Sequence, residues 1–527
     1  MQNLKLIAFA MLLASPLQAG EESVCKDGKP IAKLVVPQLA SPMTTLPERT
    51  VNGYLSDQFG WTLPLSKQAD QPGLYIVVGN KTNNPLLADL EKQGLNLQTD
   101  DLGEEGFRIA THTAGDRRFV IVTANTPVGL KYGCQELTFY HLPATATQAS
   151  IEWPLDLQMK PQFAYRGSYM LPVWAQYDSL DSWRRVLRFN SEITVNRNWF
   201  WLNAYSIIKK YGEAYKDEDL TSVANVASLI DLCHREGMKF YIGGGWFSWH
   251  HEGIANGSFE RGIEYYREMV DLFPEADGIY LEPAGEVNDV PESEWRKRTD
   301  ALDRLTTQVW EKHPNFEFAI AVGKRNDPGY LRALHAIDQK RIYWWWWWGH
   351  PVTDKALEMH PLMLRWHTSP QYGLSQPPTR AETALTGHAT SYDPGQGFGN
   401  PWNGQGRFVN ERPREFHPHT IPYFANEYRY REGAWNVDIT HQQFSERLGR
   451  RLFDADMPAE AIRHYLALTD MCATPANGTE PFLAPIELFV KAHASQGTAR
   501  NRDTFERMRE AIAGFRENIA AKANETK

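Results

Sequence analysis

Apolar and polar positions along this chain fall into three regimes. In the first, short apolar runs are broken by turn residues. Gly73–Gly79, Gly106–Ala110 and Phe119–Val122 predict strands, the last two joined by a turn at Gly115-Asp116. Thr126-Pro127 then opens a helix from Val128 to Tyr140 with its apolar residues on one face. From about residue 160 the rhythm changes to strand followed by helix. Strands are expected at Phe163–Met170, Asn198–Leu202, Lys239–Gly243, Gly278–Leu281, Phe316–Val322, Arg341–Trp347, Leu362–Trp366 and Ile421–Ala425. Helical patterns between them include Leu220–Glu236, Ile263–Phe273 and Glu294–Lys312. Eight such units favour a parallel barrel over an open doubly wound sheet. Residues from about 440 onward read as helices, through Phe444–Leu448, Ala459–Leu468 and Asp503–Ala521.

The expected fold class is therefore α/β: a (β/α)8 TIM barrel over residues 158–440, preceded by a small α+β accessory domain over 20–157 and followed by a helical C-terminal region over 441–527. The stretch Gln376–Arg412, rich in Gly, Pro, Asn and Thr, predicts a long loop on the active face. Residues 1–19 read as a signal peptide. Lys5 supplies the positive end, Leu6–Ala14 the apolar stretch, and Leu17-Gln18-Ala19 a small-residue cleavage site. That predicts export to the periplasm or the medium. The apolar run is too short to span a bilayer, so no membrane association is expected after cleavage.

Composition narrows the function. The net charge of -9 argues against a nucleic-acid partner, which needs a basic surface. The 18 Trp, 22 Tyr and 24 Phe are numerous enough to supply stacking platforms for sugars, although core packing accounts for most such rings. Cys25, Cys134, Cys233 and Cys472 show no metal-ligand spacing, and both disulfides and buried thiols are compatible with them.

The candidate chemistry lies at strand exits, where an α/β barrel places its functional groups. Asp277–Leu281 runs into a loop carrying Glu282 and Glu286, whose mutual repulsion could raise the pKa of one. A second such site is Tyr423-Phe424-Ala425-Asn426-Glu427-Tyr428. Glycosidases need a pair of carboxyl groups of this kind, one of them holding a proton. Trp246, Trp249 and His250 follow the third expected strand, and Trp348 and His350 follow the run of five tryptophans. The rings are candidates for stacking on a sugar and the histidines for binding its hydroxyls. Adjacent His250 and His251 diverge on a loop and have no apparent third ligand, so no metal and no other cofactor is expected. Arg166, Lys324, Arg325, Arg365 and Arg429 fall near expected strand exits. They could clamp an acidic sugar or pair with the glutamates that shape the site.

Glu105–Ile109, Val120–Ala124 and Gly129–Gly133 resemble the accessory domain that precedes the barrel in β-hexosaminidases, α-N-acetylglucosaminidases and xylan-type α-glucuronidases. Asp277–Leu281 with Glu286 after Gly285, then Asn426-Glu427-Tyr428, then Phe444–Phe453 and Ala459–Ile462, resemble the α-glucuronidase family in particular. The resemblance implies Glu286 as general acid and Glu427 as a residue that helps activate water; Glu282, beside Glu286 in the same loop, is the backup for either role. It departs from that family at His360–His367, where no acid matches the family's additional late aspartate. Nor does the fourth strand carry the adjacent acid pair of substrate-assisted hexosaminidases.

The function expected is an exo-acting glycoside hydrolase of α-glucuronidase-like type that removes a terminal sugar, a uronic acid among the candidates, from polysaccharide-derived oligosaccharides. Two alternatives stay open at this level. A polysaccharide lyase would use Tyr280, His350 and Arg365 on a uronate. A non-catalytic carbohydrate-binding protein would keep the rings without the acid pair.

Overall fold

The computed structural model of this chain describes residues 20–38, 43, 45–170, 179–201, 222–244, 259–281, 292–321, 342–346, 363–368, 380, 387–391, 420–421, 423–473 and 479–525. The first part contains β1 (Gly20–Lys26), β2 (Lys29–Pro30), β3 (Lys33–Val35), β4 (Gly73–Val78), helix α1 (Pro85–Lys92), β5 (Phe107–Ala114), β6 (Arg117–Ala124), helix α2 (Pro127–Glu136), β7 (Ala149–Trp153) and β8 (Asp156–Met159). They form a five-stranded sheet in the order β3-β4-β6-β5-β8 and a three-stranded sheet β2-β1-β7. Thr126 caps α2 by accepting a hydrogen bond from the Gly129 amide, and Pro127 occupies the first turn. Gly133 lets α2 lie directly on the sheet, since a Cβ there would press on Val122 and Phe107.

The middle of the chain holds β9 (Tyr165–Met170), α3 (Leu180–Glu192), β10 (Arg197–Trp201), α4 (Val223–Arg235), β11 (Lys239–Gly244), α5 (Phe259–Leu272), β12 (Gly278–Leu281) and α6 (Glu292–Lys312). Then come β13 (Glu317–Ala321), β14 (Ile342–Trp346), β15 (Met363–Thr368) and β16 (Gly387–Ser391). These eight strands, β9 to β16, close a barrel in which every neighbouring pair is parallel. Alternation of strand and helix is described through its first half, β9 to α6. Phe200, Phe240, Ile242, Ile279, Phe318 and Ile320 share one core with residues of the surrounding helices, among them Trp183, Leu229, Met269 and Leu305. The alternate residues of the same strands face the lumen.

The register can be followed once around. It runs from Tyr169 to Trp199, Tyr241 and Gly278, up two residues to Tyr280, then to Ala319 and Tyr343. A second climb of two residues leads to Trp345, Leu364 and Gly387, and the path closes on Tyr165. It returns four residues below its start after climbing four, a stagger of eight. That stagger belongs to an eight-stranded barrel with steeply tilted strands.

One expected strand is corrected. Ile421–Ala425 is not the eighth strand: Tyr423–Trp435 is a helix, α7, and the strand that closes the barrel is β16. The apolar residues at 421, 424, 425 and 428 follow helical spacing, which a five-residue window misread as a strand. Gly387-His388-Ala389-Thr390-Ser391 carries no large apolar residue and sits within the stretch taken for a loop. The chain continues with α8 (His441–Leu452), α9 (Glu460–Ala473), α10 (Glu480–His493) and α11 (Ala499–Glu525). All four cysteines are free and buried.

A buried ionic cluster joins α2 of the first part to α7 and α8. Arg447 of α8 grips Glu136 of α2 with both terminal nitrogens, at 2.9 and 2.8 Å, and its Nε donates to Glu432 of α7 at 2.6 Å. Arg431 pairs with Glu432 and lies 3.7 Å from Glu136. Tyr140 donates to Glu432 at 3.0 Å and shares a 2.7 Å hydrogen bond with Tyr428.

Candidate active site

Successive lumen-facing residues build the barrel interior in layers. At the end where the strands begin, Glu317 meets Lys239, Tyr241 and Arg197, the last at 3.3 Å. The Arg197 guanidinium lies 4.5 Å from the centre of the Tyr165 ring and 5.3 Å from that of Tyr343. Burial alone would raise the Glu317 carboxyl, but Arg197 and Lys239 outweigh it and hold the group below the usual carboxylate range. This layer is an ionised plug, and Glu317 is not a proton-holding acid.

Above it the lumen is aromatic. Trp199 and Tyr280 stack with centroids 5.6 Å apart and planes within 3°. The Trp199 indole donates to Tyr165 at 2.5 Å, and the Tyr280 hydroxyl donates to that of Tyr169 at 2.7 Å. Gly243 makes room here: its φ is +152°, and a Cβ would collide with the carbonyl of Tyr280 on the neighbouring strand. Tyr280 is fully buried. A proton-abstracting base must reach its substrate, so this placement disfavours Tyr280 in that role.

The strands end toward the opposite mouth. β11 finishes at Gly244, β12 at Leu281 and β14 at Trp346. Glu282, Glu286, Trp246, Trp249, His250, Trp348 and His350 follow these ends in sequence and lie outside the described residues.

Lys324 and Arg325 also lie outside the described residues. Of the remaining candidates, Glu427, Arg429 and Arg166 do not stand at strand exits. Glu427 is 1% exposed in α7, four residues into a helix rather than at a strand exit. Arg429, also in α7, sets its guanidinium 4.6 Å from the Phe444 ring centre, against α8. Arg166 is the second residue of β9, at the end where the strand enters the barrel. Its Nε donates to the Thr194 carbonyl and its Nη1 to the Phe163 carbonyl, both at 2.8 Å, and it pairs with Glu105 of the first region at 2.7 Å. It joins the barrel's underside to the preceding sheet. Glu105 is half of that joint and also accepts from Asn196 at 2.8 Å. Arg365 lies mid-strand in β15, in register with Trp346 and His388, the row that continues to Arg166. Tyr169 and Trp199 were not singled out from sequence. The signal available was their alternate spacing with Arg197 and Gly167 on strands already expected.

No sequence-family model matches the chain, and no curated protein matches it by sequence. Solved structures do match in fold. CpGH84B superposes with a TM-score of 0.59 at 10% identity, covering 94% of this chain and 87% of that one. CpGH84D gives 0.54 at 10% identity, over 96% and 93%. A GH138 enzyme targeting pectin rhamnogalacturonan II gives 0.59 at 11% identity, over 92% of this chain and 68% of that one. The likeness is one of fold, and all three are glycoside hydrolases.

Proposed function

We propose that this protein is a glycoside hydrolase whose active site lies at the exit mouth of a complete (β/α)8 barrel. The observation that carries the reading is the placement of β12: a buried strand of the closed barrel ends at Leu281, and the next residues in sequence include Glu282 and Glu286. An aromatic lumen beneath that mouth, and the fold shared with glycoside hydrolases, support the same reading. Glu286 is the proposed general acid and Glu282 the proposed second carboxylate. Trp246, Trp249, His250, Trp348 and His350 are the proposed sugar contacts. The substrate proposed is a polysaccharide-derived oligosaccharide losing a terminal, acidic sugar, as in the α-glucuronidase-like type. Export through the signal at residues 1–19, and the division into accessory domain, barrel and helical region at 157 and 440, belong to the same proposal.

The test is product release from a panel of acidic and neutral oligosaccharides by wild type, Glu286→Gln, Glu282→Gln and Glu427→Gln. Monosaccharide release should fall by about 10²–10⁴-fold in Glu286→Gln. An unchanged rate removes Glu286 from the mechanism. An ultraviolet-absorbing unsaturated product replaces hydrolysis with elimination.

A further inference from the structure

We infer that Tyr169 is the floor contact of the sugar site, donating a hydrogen bond to an oxygen of the bound sugar, and that Tyr280 positions it. The inference rests on the hydrolase reading of the same mouth. Beneath these two rings the lumen is filled. Glu317, Arg197, Lys239 and Tyr241 meet at the entry end, and Trp199 is bonded to Tyr165 above them. Tyr165, Trp199 and Tyr241 are at most 1% exposed. A sugar entering from the exit mouth therefore stops at the layer of Tyr169 and Tyr280. Each is the second-to-last residue of its strand, β9 and β12, and the residue after each, Met170 and Leu281, packs into the outer core. They are thus the last lumen-facing side chains of these two strands.

The two strands are three apart around the barrel, yet the rings meet across the lumen, with centres 5.2 Å and hydroxyls 2.7 Å apart. The direction of that hydrogen bond divides the roles. A phenol has one hydrogen to donate and lone pairs with which to accept. Tyr280 gives its hydrogen to Tyr169, so Tyr169 keeps its own to donate to a third group. Tyr169 is also the ring that retains surface, 4% against none for Trp199 and Tyr280. Tyr280 is held in place by its stack on Trp199, whose planes agree within 3°, and the Trp199 indole is fixed in turn by Tyr165. Fully buried, Tyr280 reaches the sugar only through Tyr169, as a positioning residue.

The test uses the monosaccharide that wild type releases from the oligosaccharide panel, with its monodeoxy analogues, as inhibitors of that release. Loss of one particular hydroxyl should weaken inhibition of wild type by about 5–100-fold and leave inhibition of Tyr169→Phe unchanged. Tyr169→Phe and Tyr280→Phe should each lower kcat/KM, and the double variant should lose no more than Tyr169→Phe alone, because Tyr280 acts through Tyr169. Tyr280→Phe carries the same deoxy comparison, with a smaller loss, if Tyr169→Phe does not fold. A Tyr169→Phe rate equal to that of wild type, a deoxy profile that the variant leaves unchanged, or additive losses in the double variant each overturn the inference while the hydrolase reading stands. A wild type that releases no sugar from the panel overturns both.

Discussion

Replacing Arg447 with Met should weaken the whole molecule, because this one guanidinium neutralises two buried carboxylates from different regions. Glu136 is 1% exposed and Glu432 2% exposed. Arg447 supplies two hydrogen bonds to the first and one to the second, at 2.6 to 2.9 Å. Without it, Arg431 alone remains close to both. Removing one partner from a buried ion pair costs about 3–5 kcal/mol, since the other charge stays behind. That corresponds to a urea midpoint lower by ~1 M. The pH dependence carries the stronger test. Burial would raise the Glu136 carboxyl, but Arg447, with His141 and Arg431, holds it well below the usual range. Its folded pKa is thus below the unfolded value of about 4.3. The stabilisation is present above that value and is lost as pH falls through the folded one. In Arg447→Met the unmatched carboxylate is relieved by protonation, so the gap between wild type and variant should be widest at pH 7 and narrow toward pH 3. Urea unfolding followed by tertiary circular dichroism at several pH values reads this directly. A gap below about 1 kcal/mol at pH 7, or one that does not change with pH, refutes the reasoning.

Two further outcomes are expected. Lys131 is fully buried, donating to the Ser191 hydroxyl and the Glu236 carbonyl at 2.8 Å each, and burial lowers its ammonium to about 8 against the pull of Glu236 and Glu105. The unfolded chain then binds the extra proton between about pH 8 and 10.4, so stability should rise through that window by up to about 3 kcal/mol. Unfolding midpoints should show this rise flattened in Lys131→Met, and an unaltered slope would remove Lys131 as its cause. Gly243→Ala forces a Cβ into the Tyr280 carbonyl at a left-handed φ, which should cost more than about 2 kcal/mol or abolish soluble expression. A variant with wild-type stability would show that β11 and β12 can separate there.

Much of the barrel was legible because outward-facing residues on its strands are large and apolar. Phe240-Tyr241-Ile242 and Gly278–Leu281 announce themselves whatever lies between them. β16 was not legible for the converse reason. Its Gly387 stands opposite Tyr165 and its Ala389 opposite Gly167, so closure asks for small residues where strand patterns ask for large ones. With the eighth strand displaced, Glu427 and Arg429 were carried to a strand exit that does not exist. The cluster around Arg447 was invisible for a different reason: Glu136 is 311 residues from Arg447 in sequence, and nothing local marks a charge for burial.

Arg166 shows how a boundary decides a function. Read near the end of a strand, a buried arginine suggests a clamp for an acidic sugar. As the second residue of β9 it belongs to the underside, where Glu105 and the Thr194 and Phe163 carbonyls satisfy it. Glu317 carries the same lesson in the lumen. It faces the same interior as Tyr280, yet Arg197 and Lys239 keep it ionised at the entry end. A carboxyl that holds its proton near neutral pH needs surroundings that disfavour the anion. The entry end, with its arginine and lysine, is the wrong place for one. The proposed general acid accordingly belongs to the opposite mouth, where β12 ends and Glu282 and Glu286 follow in the chain. The Glu286→Gln comparison examines the end proposed for catalysis, away from the ionised entry layer of Glu317, Arg197 and Lys239.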